Sequence, residues 1–139
     1  MSRRDARKHA FSLVFGLGFN KTELDIMEVF DDYIQNTVSE EDKITKKDKE
    51  FIYAEFEGTY NNLDEIDKII RENLVDWSMD RLNKADIAIL RVAIYEMKFG
   101  DTPAGVAVNE GVELAKDYSS DEGPEFINGI LRKVAKGLT

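Results

Sequence analysis

Arg3, Arg4 and Arg7 fall at spacings of three and four, so a helix through them gathers three guanidinium groups on one side, with Lys8 beside them. A guanidinium presents a planar fork of donors that fits phosphate oxygens and base edges. Bases of single-stranded RNA also stack on its face. Cations in a first turn oppose the helix macrodipole, so their presence here points to an anionic ligand. The alternative is a basic turn that only keeps the chain in solution. A second group lies in Phe126-Ile127-Asn128-Gly129-Ile130-Leu131, close to a helix start. There Phe126 has the ring to stack a base and Asn128 the amide to hydrogen-bond one. Taken alone, Phe126 reads as a core aromatic and Asn128 as a packing contact, since aromatic side chains are mostly core.

Covalent chemistry has little to work with. An active site needs a positioned nucleophile, base or metal. The chain has no cysteine and one histidine, which excludes the common zinc geometries. His9 sits among the basic residues with no orienting partner evident, and reads as a packing residue or one near a ligand rather than a general base. Glu40-Glu41-Asp42 and Asp31-Asp32 lack the loop spacing and glycine of a calcium hand and read as a solvated acidic face. Gly16 and Gly18 follow a helical pattern rather than a strand, so they mark a helix end or close helix contact and not a phosphate loop. The residues therefore describe a binding protein rather than an enzyme, with no cofactor and no metal expected.

Charge sharpens this reading. The 139 residues carry a formal net charge of −9, which taken alone disfavours nucleic acid. Residues 1–10 carry +3, however, so the remainder carries −12. A basic arm on an acidic body is the pattern. Absence of cysteine suits a reducing compartment, and residues 1–12 lack the unbroken apolar run of a signal peptide. No stretch reaches the roughly 18 apolar residues of a membrane span. A cytoplasmic location is the expectation.

The elements that must position these residues are helices. Apolar residues recur at threes and fours almost throughout, and only Pro103 and Pro124 interrupt. Seven helices are expected. The first covers 3–18. The second covers 22–37, capped by Thr22, and the third starts after Thr45 with Asp48 completing a capping box. Asn61-Asn62 breaks the pattern, and a fourth helix runs from Leu63 to Trp77. Residues 82–99 form the most apolar helix, which should therefore be central. A sixth begins at Thr102-Pro103, read as cap and first residue. Pro124 opens a seventh that ends near Lys136. The expected fold is all-α, two packed helical bundles within a single domain over 1–139, divided into an N-terminal part (1–60, with the arm) and a C-terminal part (63–139).

Four motifs carry a family resemblance. Arg3-Arg4-x-Ala6-Arg7-x-x-Ala10, Ile89-Leu90-Arg91-Val92-Ala93-Ile94-Tyr95-Glu96, the stretch Pro103 to Lys116 containing Val106-Ala107-Val108-Asn109-Glu110, and Phe126-Ile127-Asn128-Gly129-Ile130-Leu131 together resemble the NusB transcription antitermination family, in its order and spacing. The resemblance implies a non-catalytic factor that binds the boxA element of nascent, single-stranded RNA together with NusE, a small-subunit ribosomal protein. The assembled complex would act on RNA polymerase so that it reads through terminators, chiefly in ribosomal RNA operons. Carried over by position, Arg4 and Arg7 would contact RNA with Arg3 and Lys8 nearby. Phe126, with Glu122 and Asn128, would lie at the RNA-facing end of the second bundle. Phe15, Phe19 and Asp86 would face NusE.

The chain also departs from the family pattern. Phe15 stands where the family usually has tyrosine, and Gly16 and Gly18 replace better helix formers. Gly123-Pro124 alters the approach to Phe126. A similar fold forms the N-terminal domain of RsmB-type ribosomal RNA cytosine methyltransferases; with no cysteine and no cofactor-binding segment before Thr139, the freestanding factor is the preferred expectation. A helical adaptor that binds protein alone is the remaining alternative, and it would keep its partner after the arginines were neutralised.

Overall fold

A computed structural model describes residues 1–18, 23–76 and 78–138. Seven α-helices run in the order α1 (Arg3–Phe15), α2 (Ile26–Thr37), α3 (Lys46–Asn61), α4 (Leu63–Glu72), α5 (Lys84–Lys98), α6 (Ala104–Tyr118) and α7 (Gly123–Gly137), with short 3-10 turns at Glu40–Asp42 and Met79–Arg81. Among the described residues there is no strand, and no helix is long and apolar enough to cross a membrane.

The helix ends follow local chemistry. The Ser2 hydroxyl accepts from the Asp5 amide and starts α1. Thr45 and Asp48 form the expected capping box at α3. α1 stops at Phe15, with Gly16 as its cap and Gly18 at φ 70°, so the two glycines end the helix rather than extend it. α2 starts later than expected, at the Asp25 cap; Thr22, the expected cap, lies outside the described residues, as does Trp77. Thr102 does not cap α6. That position falls to Pro103, and the Thr102 hydroxyl turns to Glu96 instead.

The apolar girth of α5 places it at the centre, as its sequence demands. It packs against α1, α3, α4, α6 and α7, and Ile89, Leu90 and Ile94 are fully buried. Gly58 lets α3 come close to α5: a Cβ there would stand 2.1 Å from the Tyr95 ring. One cluster of buried side chains draws on all the helices, from Ala6 and Phe11 through Phe30, Ile52, Ile66 and Leu90 to Leu131. At roughly 25 cal/mol per Å² of apolar area removed from water, that cluster is the main stabilising term. α2 contributes least, with Phe30 its only buried residue, set edge-on to Tyr53.

Three charged residues are sealed in the α1–α3–α5 seam: Arg7, Glu55 and Glu96. A buried charge requires a partner. These three fix how α1, which carries the basic residues, is seated.

Candidate nucleic-acid interface

The basic residues do not form a free arm. They occupy the first two turns of a helix packed on α3 and α5. The chain terminus is itself held, the Met1 amine lying 3.3 Å from Asp48 and 3.4 Å from the Lys43 carbonyl. Each cation then meets a different environment. The Arg3 guanidinium stacks over Phe51, 4.0 Å from the ring centre, and the residue stays exposed. Arg4 forms a fork with Glu110 of α6, Nη2 to Oε2 at 2.8 Å and Nε to Oε1 at 3.2 Å, while its side chain remains about half exposed. Lys8 reaches Asp117 at 3.2 Å.

Arg7 is the exception. It is buried, and three hydrogen bonds of 2.9–3.1 Å join it to Glu96. A weaker contact of 3.5 Å reaches Glu110. The structure therefore sets Arg7, expected beside Arg4 at the RNA, apart from Arg3 and Arg4: its donors are spent on carboxylates below the surface. The reason is positional. Arg7 lies one turn beyond Arg3, on the same side as the buried Ala6 and Ala10, and so points into the seam.

Electrostatics follow the same pairs. The hydrogen bond from Arg4 and its charge hold the Glu110 carboxyl below its ordinary value, and Glu110 in turn raises Arg4. For Arg7, burial lowers the guanidinium, but the hydrogen bond and charge of Glu96 outweigh it, with a net shift upward. Asp117 raises Lys8. Glu55 behaves differently: burial, then the negative charge of Glu96, push its carboxyl up to about 9. Neither Glu55 oxygen finds a donor, which suits a protonated acid that itself donates toward Glu96.

The second candidate group divides. Glu122 and Phe126 line one open cleft with Glu125, Gly129, Ile130 and Lys133. Asn128 lines another, between α6 and α7, and accepts there from Arg132 at 3.1 Å. Two residues apart on a helix is more than half a turn, so Phe126 and Asn128 do not share a surface.

The expected partner residues divide as well. Phe15 is 44% exposed and lines a cleft with Val14, Gly18, Lys84, Ile87, Ala88 and Arg91. Phe19 lies outside the described residues. Asp86 does not line that cleft. It is buried at the start of α5, and its Oδ1 accepts from the Ser119 hydroxyl at 2.6 Å. Gly123 makes that joint possible, because a Cβ there would stand 1.9 Å from the Ser119 oxygen. Asp86 thus fastens the α6–α7 turn that leads to Phe126.

The residues that complete the site, Glu96 and Glu110, escaped the reading of the sequence. Both left signals. Glu96 is an acid inside the most apolar helix, which calls for a buried cation. Glu110, Glu113 and Asp117 recur at three and four along α6, an acidic stripe matched in spacing to the basic one on α1.

The NusB family model matches residues 4–136. The transcription antitermination protein NusB of Ruminiclostridium cellulolyticum is 39% identical over 138 residues, spanning 99% of this chain and 90% of that protein. Among solved structures, NusB of T. maritima superposes with a TM-score of 0.81 at 32% identity, covering 98% of this chain and 92% of that one. A crystal structure of antitermination factors NusB and NusE in complex with double-stranded RNA gives 0.81 at 25% identity, over 97% of this chain and 96% of that chain.

Proposed function

From the premise that this chain belongs to the NusB family, we propose that it is an RNA-binding transcription antitermination factor. It binds boxA RNA together with the ribosomal protein NusE and promotes read-through by RNA polymerase, chiefly in ribosomal RNA operons. In this reading it acts in the cytoplasm by binding and catalyses no reaction. The observation that carries the reading is the set of surface cations on α1, on a chain that is otherwise strongly acidic. Arg3 and Arg4 are exposed, and Lys8 lies beside them. They are the proposed phosphate contacts, with Phe126 and Glu122 forming a second part of the RNA surface and Asn128, on the separate cleft between α6 and α7, a third. Phe15 and its cleft are the proposed seat of NusE. The two parts divided at Asn61-Asn62 work as one unit, since a common buried cluster runs through both.

The charge distribution sets the mechanism. A body at −12 repels RNA, so a few α1 cations hold it weakly and a basic partner adds the missing positive surface. Labelled boxA RNA and a scrambled control, single-stranded and double-stranded, titrated with and without NusE, test this. Tighter boxA binding in the presence of NusE is expected; equal affinities overturn the mechanism. If Arg3, Arg4 and Lys8 neutralise about three phosphates, log K falls against log salt with a slope of roughly −2 on single-stranded RNA. Arg4→Ala flattens that slope by about 0.7 and leaves the helical circular dichroism intact. An unchanged slope moves the RNA site elsewhere.

A further inference from the structure

We propose that Glu110 and Arg7 are positioning residues for Arg4. They form a series of alternating charge, Glu96–Arg7–Glu110–Arg4, that fixes one edge of the Arg4 guanidinium and leaves the other aimed at an RNA phosphate. The proposal rests on the RNA-binding reading above and assigns roles within that site.

The series runs from core to surface. Side-chain exposure rises along it, 4% for Glu96, 9% for Arg7, 11% for Glu110 and 53% for Arg4. Each inner member is held before the next is reached. Glu96 accepts from Thr102 at 2.8 Å and from Arg7. Arg7 is buried where α1 meets α3 and α5, bonded to Glu96 and set over the Phe51 ring. Glu110 bridges the two arginines, its Oε1 reaching both Arg7 Nη1 and Arg4 Nε and its Oε2 the Arg4 Nη2. A carboxylate held by two guanidinium groups has a defined orientation, and Glu110 stays ionised because Arg4 depresses its pKa.

The consequence falls on Arg4. A free surface arginine samples many rotamers and loses that freedom when it binds. Here the Nε and Nη2 edge is already fixed by Glu110, so most of that ordering precedes RNA binding. The opposite edge, Nη1 with the second Nη2 hydrogen, has no hydrogen bond to a described residue. Its two parallel donors suit a phosphate. Arg3 and Lys8 lack such support, one resting on a ring and the other on a half-exposed aspartate.

A simpler electrostatic view predicts the reverse sign. Glu110 is an anion beside a site for an anion, and removing its charge should strengthen RNA binding. Glu110→Gln therefore decides the matter. The measurement is anisotropy of labelled boxA RNA on the full chain with NusE present, for wild type, Glu110→Gln, Arg4→Ala, Arg4→Lys and the Glu110→Gln/Arg4→Ala pair. Thermal melting and NusE affinity serve as controls for folding. Glu110→Gln is expected to weaken RNA binding about threefold or more although it removes a negative charge, and to weaken it no further once Arg4 is alanine. Arg4→Lys, a surface change that keeps the charge but not the fork, is expected to lose most of what Arg4→Ala loses. Equal or tighter binding by Glu110→Gln, or full affinity in Arg4→Lys, overturns the positioning role while leaving the RNA site in place. An Arg4→Ala variant that binds like wild type overturns both the role and the site.

Discussion

Arg7 and Arg91 are both buried arginines paired with carboxylates, yet their surroundings lead to different ends. Arg91 of α5 makes a symmetric fork with Asp67 of α4, both bonds at 2.8 Å, and adds a bond to the Gly18 carbonyl just past α1. That pairing joins three parts of the fold. Arg7 shares its carboxylate Glu96 with Thr102, lies beside Glu55, whose carboxyl burial pushes well up, and passes order on to Glu110 and Arg4. A buried ion pair gains little net stability over apolar residues of similar volume, because desolvation offsets the attraction. What such a pair does supply is geometry. In one case that geometry is used to close the fold, and in the other to aim a surface group.

The comparison is broken most severely at its closed end. Asp67→Ala leaves the Arg91 guanidinium buried without its carboxylate, and a loss of about 3–5 kcal/mol in unfolding free energy is expected. Urea unfolding followed by circular dichroism measures it. Asp67 is remote in sequence from the α1 cations, so the folded fraction should bind RNA with unchanged affinity. A loss below about 1 kcal/mol would mean that Arg91 finds water or another acceptor, and the closed pairing would lose its meaning.

How much of this was legible in the sequence depends on whether a residue acts along its own helix or across to another. The seven helices, the capping box at Thr45 and the central place of α5 follow from local periodicity and propensity, and were readable. So was the basic cluster on α1. The fate of Arg7 was not, because three arginines at helical spacing look alike until α3 and α5 decide which of them is covered. The joint at Asp86 was not legible for a similar reason: its partner Ser119 lies 33 residues away. Thr102 looked like a cap because Thr-Pro is a common helix start, but α6 begins one residue later, with Pro103 at the cap position, and the Thr102 hydroxyl donates to Glu96 across the turn.

Glu55 distinguishes the open end by pH. Its carboxyl, pushed up to about 9 first by burial and then by Glu96, carries a proton in the folded chain. In the unfolded chain it ionises near its ordinary value of 4.5. Between these values the folded state binds the extra proton, so this group makes stability fall as pH rises. The slope it contributes is at most about 1.4 kcal/mol per pH unit. Glu55→Gln keeps the shape and a donor for Glu96 but cannot ionise. Unfolding free energies from pH 5 to 9 should therefore diverge, wild type losing stability relative to the variant with rising pH. Parallel curves would show that Glu55 is ionised in the folded state and paired with Arg7 in its own right.

Thr102→Val is the smallest change and tests the same end from its other side. Threonine and valine have nearly the same shape, so the packing beneath α6 is kept and only the hydroxyl is removed. Its hydrogen bond to Glu96 Oε1, at 2.8 Å, is part-buried and charge-assisted, and its loss should lower stability by about 1 kcal/mol. The informative quantity is how that loss combines with others. Thr102 and Arg7 share one carboxylate, so Thr102→Val and Arg7→Met should be non-additive, with a coupling of about 0.5 kcal/mol or more. Thr102→Val and Asp67→Ala draw on separate carboxylates and should add within about 0.3–0.5 kcal/mol. Additivity in both pairs would mean that Glu96 holds Arg7 without help from Thr102, and that the turn before α6 does not support the open series.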